Sequence, residues 1–185
     1  MRGIIKYKTL NKLKSVYRFN TVDNRKESTA EHSWGCLMLA DYILNRTKIK
    51  VNRIKVYEML MYHDIAEIIS GDFALHPKIN HKNKKEKEIA AAKKLKKILP
   101  KEISNKYWEL IQEFEHQQTK DARFAKMIDQ LEAEVHEIDY KEDWKGWTEE
   151  YLRTHKEKYF NEFPEVKKIF EELVLFFRKN GYFSL

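Results

Sequence analysis

Five glycines and three prolines in 185 residues leave few positions for tight turns. Sheet-rich folds consume both residue types at their turns, so this chain is limited to long helices joined by short links. The apolar spacing agrees. Ser28-Thr29-Ala30-Glu31 has a hydroxyl at the cap and a carboxylate three positions on, the pattern of a capping box. Trp34, Leu37, Met38 and Tyr42 follow at helical spacing, with Leu39 and Ile43 widening the apolar face, which predicts a helix over residues 29–46. The same spacing predicts one or two short helices over 4–16 and longer ones over 51–69, 83–99, 104–116, 121–140, 148–160 and 164–179. Gly71 and Pro100 serve as stops, and Trp144 and Trp147 flank a link at Gly146. Residues 17–26 are polar and irregular and read as a loop, as do 73–80 around Pro77. No segment is a convincing strand, although period alone does not separate Val174-Leu175-Phe176-Phe177 from one. The expected architecture is an all-α bundle of irregularly crossed helices.

With 42% hydrophobic and 35% charged residues, the chain has the apolar material for a core. Its length fits one domain over residues 1–185. The single cysteine, Cys36, forms no internal disulfide and sits among apolar neighbours. It reads as a small buried residue rather than a nucleophile, and the usage points to a reducing cytoplasm. No apolar run approaches the roughly 20 residues that span a bilayer, and the start MRGIIK lacks a signal peptide's apolar stretch. The net charge of +7 raises nucleic-acid binding, but much of the excess lies in the lysine-rich helical segment 82–97, a solvated face. Nucleic acid is therefore an unfavoured partner, whereas a small anionic substrate gains from the positive field.

The chemistry concentrates in His32, His63, Asp64 and Asp129. Imidazole nitrogen and carboxylate oxygen are the usual ligands of borderline divalent metals, and packed helices bring such positions to one point. Taken singly, each is ordinary: a packed histidine, a chance His-Asp pair, a buried pairing carboxylate. The motifs around them are not. Residues 28–33, STAEHS, resemble the first histidine motif of the HD-domain phosphohydrolases; 62–72, YHDIAEIISGD, resemble the signature H-D-x-x-E-x-x-x-G-D; and 126–132, KMIDQLE, resemble the closing aspartate motif. Their order and spacing resemble the branch containing the 5'-deoxynucleotidases and the human-type HD-domain-containing proteins. The resemblance covers residues 10–140, leaving helices over about 148–180 to pack on that core.

That resemblance implies one divalent cation (Mn, Co, Fe, Ni or Zn) held by His32, His63, Asp64 and Asp129. The cation would polarise a phosphoryl oxygen and bind or acidify the attacking water. It also implies catalytic roles for Glu67 and Asp72 as acid and base, without saying which takes which. Arg18 matches the branch's phosphate-binding arginine, Arg25 a recurrent arginine before Glu27-Ser28, and Lys78 a lysine of the same branch. Phe19 stands where the bacterial deoxynucleotidases carry Trp, so an aromatic face is kept and the indole donor is lost. His116 is a possible neighbour of the metal, but no second-metal motif accompanies it. His76, His81, His136 and His155 read as surface or packing residues. The implied activity is hydrolysis of (deoxy)nucleoside 5'-monophosphates to nucleoside and phosphate. The alternatives are a triphosphate or alarmone substrate, or a non-catalytic nucleotide-binding sensor. The family's habit of dimerising and the number of aromatic residues imply a homodimer.

Overall fold

The computed structural model describes residues 1–79 and 82–184, so His81 and the end of the 73–80 loop lie outside the described residues. A short α1 (Arg2–Tyr7) and a 3-10 turn (Lys8–Ser15) lead into a two-stranded antiparallel hairpin, β1 (Tyr17–Val22) and β2 (Arg25–Ser28). Helices α2 (Thr29–Arg46), α3 (Arg53–Tyr62), α4 (Glu67–Ser70), α5 (Lys84–Ile98), α6 (Lys101–His116), α7 (Lys120–His136), α8 (Glu149–Lys156) and α9 (Pro164–Lys179) follow. The fold is a helical bundle, as the glycine and proline shortage predicts. Among the described residues no helix is long and apolar enough to cross a membrane.

The axis of the bundle is α7. It packs on α2, α3, α6 and α9, and most of its circumference is buried: Ala122, Phe124, Ala125, Met127, Ile128 and Leu131, but also Asp129, Glu132 and Glu134. A helix buried all round is a central helix, and carboxylates on one need a local reason. The start of α2 is the expected capping box: Ser28 accepts from the Glu31 N–H, and Glu31 accepts from the Ser28 N–H. The C-terminal elements close an aromatic core in which Phe160 stacks on Phe170 at 4.3 Å and Trp144 lies 4.3 Å from Phe177. In α9 Val174 and Phe177 are buried while Leu175 and Phe176 stay exposed, so the ambiguous run has the helical three-residue period.

Two expectations are corrected. Residues 17–26 form most of a hairpin rather than a loop, with Asp23 at φ +51 in its turn. Arg18, Phe19 and Asn20 all line the site, so no alternation of apolar and polar residues marks the strand. The hairpin is held from outside: Thr21 donates through its N–H and hydroxyl to the Asp143 carboxylate at 2.6 and 2.9 Å. The second correction is that residues 51–69 are not one helix. The His63 imidazole donates to the Leu60 carbonyl at 2.7 Å, and the chain through Ile65, Glu67 and Ile68 tightens to bonds three residues back. The helix therefore breaks at His63-Asp64.

Asp143→Ala removes both acceptors that latch β1. Denaturation in urea is expected to show a loss of about 2 kcal/mol, the cost of leaving partly buried donors unpaired.

Candidate active site

His32 enters the bundle from the second turn of α2 and is fully buried. Its Nδ1 lies 2.5 Å from Glu132 Oε2, so Nδ1–H donates and the Nε2 lone pair faces inward. His63, at the end of α3, spends its Nδ1–H on the Leu60 carbonyl and presents Nε2 in the same way. Asp129 Oδ2 accepts from Lys126 Nζ at 2.9 Å and from Gln130 Nε2 at 3.0 Å, which leaves Oδ1 for the interior. Asp64 Oδ2 completes the group from the broken turn.

These atoms crowd one point. His32 Nε2 is 3.2 Å from Asp129 Oδ1 and 3.8 Å from Asp64 Oδ2. His63 Nε2 is 3.0 Å from Asp64 Oδ2 and 3.7 Å from Asp129 Oδ1. His63 Nε2 is buried yet has no hydrogen-bond partner despite these neighbours. Two inward lone pairs facing two carboxylate oxygens are a set that a cation satisfies. Their separations suit donors that share one ion at about 2.1 Å each. The residues fit a divalent cation, and the cluster is a divalent-metal site. The carboxylates also act on the imidazole electrostatically. Burial works against charge on His63, yet Asp64 and Asp129 overcome it and raise the pKa to about 10, whereas His63 brings Asp64 down to about 2 against its own burial.

Cys36 Sγ, fully buried, lies 3.5 Å from His32 Nε2 and belongs to the same cluster of possible ligand atoms. Burial pushes its thiol well above the ordinary range, in keeping with an inert residue.

A second layer holds the donors in place. Glu132 orients His32, and a Cβ on Gly35 would overlap the Glu132 carboxylate, so glycine is required at that contact between α2 and α7. Glu27 pairs with Arg18 at 3.0 Å, and His136 Nδ1 is 3.9 Å from Glu27. Arg18 Nη1 in turn lies 3.7 Å from Asp64 Oδ2. Burial opposes the Arg18 charge, but Asp72, Asp64, Glu27 and Glu67 outweigh it and keep the guanidinium charged.

The metal donors open into a cavity of about 230 Å³ lined by Arg18, Phe19, Glu67, Asp72, Lys84 and Trp147, among others. Glu67 accepts from the Thr29 hydroxyl at 2.7 Å, and burial, Asp64 and Asp72 raise its carboxyl well above the usual range. The Asp72 carboxyl is raised by burial and Asp64, although Arg18 opposes this. Gly71, at φ +73, turns the chain between the two.

Three residues named from sequence stand elsewhere. Arg25 is exposed, bound by Glu31 of the capping box, and lines a separate hollow with Tyr17 and Trp34. The Lys78 ammonium lies against Gly146, outside the cavity lining, and Lys84 takes the place in the wall instead. His116 is exposed and spends Nδ1 on the Gln112 carbonyl. Conversely, Glu132, Glu27, Lys126, Asn20, Glu134, Glu137 and Lys156 escaped sequence reasoning. Glu132 and Glu134 had a signal in their placement among the apolar positions of α7.

A family model described as "HD domain" matches residues 10–168. A 5'-deoxynucleotidase HDDC2 of Xenopus laevis is 32% identical over 118 residues, 64% of this chain and 57% of the relative. The Homo sapiens protein of the same name is 28% identical over 151 residues, 80% of this chain and 72% of the relative. A crystal structure titled as a predicted metal-dependent phosphohydrolase from Magnetospirillum magnetotacticum superposes with a TM-score of 0.84 at 29% identity, covering 98% of this chain and 94% of that one.

Gly35→Ala should displace Glu132 from His32 and weaken divalent-cation binding about 10- to 100-fold, read by calorimetry, without altering any ligand. A pH effect follows from Glu137. Burial, with Glu134 adding to it, raises this carboxyl from 4.5 to about 8. In the intervening window the folded chain holds the proton that the unfolded chain has released, so stability falls as pH rises through it. Glu137→Gln should remove that slope, and urea unfolding at pH 5 and 8.5 should show the native protein losing a few kcal/mol more than the variant.

Proposed function

The chain belongs to the HD-domain family of metal-dependent phosphohydrolases, and from that premise we propose that it hydrolyses nucleoside 5'-monophosphates, deoxynucleotides among them, to nucleoside and inorganic phosphate. The observation that carries the reading is the junction of a four-donor cation site with a cavity that holds a buried guanidinium and two carboxyls raised in pKa. The names of the curated relatives support the monophosphate class.

Bound at His32, His63, Asp64 and Asp129, a divalent cation supplies Lewis acidity to a phosphoryl oxygen and to water. The chain's own groups do the rest. Arg18, fixed by Glu27, offers planar donors to phosphoryl oxygens as negative charge builds on them. A water oxygen bonds to phosphorus while the bond from phosphorus to the 5'-oxygen breaks. The water proton passes to Asp72, and Glu67, which holds a proton because it is buried beside Asp64 and Asp72, delivers it to the departing 5'-oxygen. Phe19 offers the sugar no side-chain donor and is packed against His76, ring centroids 4.6 Å apart. Selectivity for the deoxy sugar should therefore be weak.

The proposal places the protein in a reducing cytoplasm as a homodimer. Trp34, Met38 and Tyr42 are exposed one helical turn apart along α2, an apolar stripe suited to a second copy.

Metal-stripped protein should release no phosphate from deoxy- or ribonucleoside monophosphates, recover on addition of Mn, Co or Zn, and stay inactive as Asp64→Ala. Glu67→Gln should lower kcat by about 10²- to 10⁴-fold while keeping its cation. A folded, metal-loaded protein that releases phosphate only from triphosphates or alarmones, or from nothing, contradicts the reading.

A further inference from the structure

The cavity is also lined by four buried polar residues that no motif accounts for. Glu134 is 2% exposed, Lys156 6%, Glu137 7% and Asn20 8%. Lys156 donates to Glu134 Oε1, and Asn20 Nδ2 donates to Glu137 Oε1 at 2.6 Å. Glu134 Oε2 is buried with no partner. An unpaired buried acceptor costs about 1–3 kcal/mol, so its retention calls for a use.

The surroundings say what kind of group would use it. A carboxylate such as Glu134 is no partner for a phosphate, which the Arg18 guanidinium attracts instead. Glu134 lies five residues beyond Asp129 on α7, about 7.5 Å along the axis and about 140° around it, and both line the cavity. Phe19 and Trp147 line the same cavity, with His76 wedged against them at 4.6 and 6.2 Å. Aromatic faces stack any base, whereas a carboxylate oxygen asks for N–H donors.

We propose that Glu134, set in place by Lys156 and flanked by Glu137 and Asn20, accepts from the N–H edge of the substrate's nucleobase while Phe19 and Trp147 pack on its ring. This reading rests on the monophosphate activity and assigns Glu134 as a determinant of nucleotide over simple sugar phosphate. The Lys156 contact occupies Oε1 and leaves Oε2 without a hydrogen-bond partner among the described residues. A neutral amide at that position keeps the shape but weakens the acceptor.

The test compares kcat/KM for dAMP, dGMP, dCMP and dTMP with that for 2-deoxyribose 5-phosphate in the native protein and in Glu134→Gln. The ratio of the best nucleotide to the abasic sugar phosphate should fall at least tenfold in the variant, through KM rather than kcat. An unchanged ratio in a folded variant overturns the proposal. So does a parallel loss on both substrate types, which would place Glu134 at the sugar, and so does a loss confined to kcat. If Glu134→Gln alone fails to fold, the double variant Glu134→Gln with Lys156→Met replaces the ion pair as a unit, and the same ratio is read. If the native protein hydrolyses none of the five, the monophosphate reading falls by itself. Calorimetry with the four free deoxynucleosides then decides this one: binding weakened at least tenfold by Glu134→Gln supports it, and no binding or equal binding overturns it.

Discussion

Six carboxylates converge where α2, the broken end of α3 and α7 cross: Glu27, Asp64, Glu67, Asp72, Asp129 and Glu132. Arg18 and Lys126, both partly buried, pair among them, and Lys84 lines the same wall. Charge taken out of water is costly unless it is compensated, so carboxyls this close together resist ionising together. The protein relieves the repulsion by holding Glu67 and Asp72 at raised pKa and by presenting a divalent-metal site. Under the proposed mechanism catalytic competence and charge compensation would be one arrangement: the carboxyls that resist ionising together are the ones assigned to carry protons.

Much of the fold can be understood as support for that arrangement. The break after Tyr62 turns His63 and Asp64 toward the same point, which a continuous helix would not allow for adjacent residues. The imidazole's bond to the Leu60 carbonyl lies at the break. Gly35 clears the space for Glu132 to reach His32. The hairpin carries Arg18 to the site, and Asp143, from the connection before α8, latches it there. The C-terminal elements thus do more than cover the core: Trp147 and Lys156 complete the wall of the cavity.

The helices were legible wherever an apolar period and a cap coincided. Residues 29–46 and 164–179 were read to the residue, one from a capping box and the other from Pro164 and its apolar face. That His32, His63, Asp64 and Asp129 come together was legible through motif spacing. The hairpin was not, because Arg18, Phe19 and Asn20 all line the site and its partner is Asp143, far off in sequence. The break in 51–69 carries a side-chain bond that periodicity does not register. Arg25 was misplaced because its competitor, Glu31, is also the capping residue, a choice decided only in three dimensions. Glu134 and Lys156 lie on different helices, and their pairing had no local signature.

The account stands on one cation shared by two imidazoles and two carboxylates. Pulsed electron paramagnetic resonance of the protein titrated with Mn(II) measures this directly, through the number of bound ions and the nitrogen couplings they show. The account predicts one tightly bound ion per chain, coupled to two histidine nitrogens, with one coupling lost in His32→Ala and the other in His63→Ala. An ion bound without nitrogen coupling, or couplings that survive both substitutions, would contradict it.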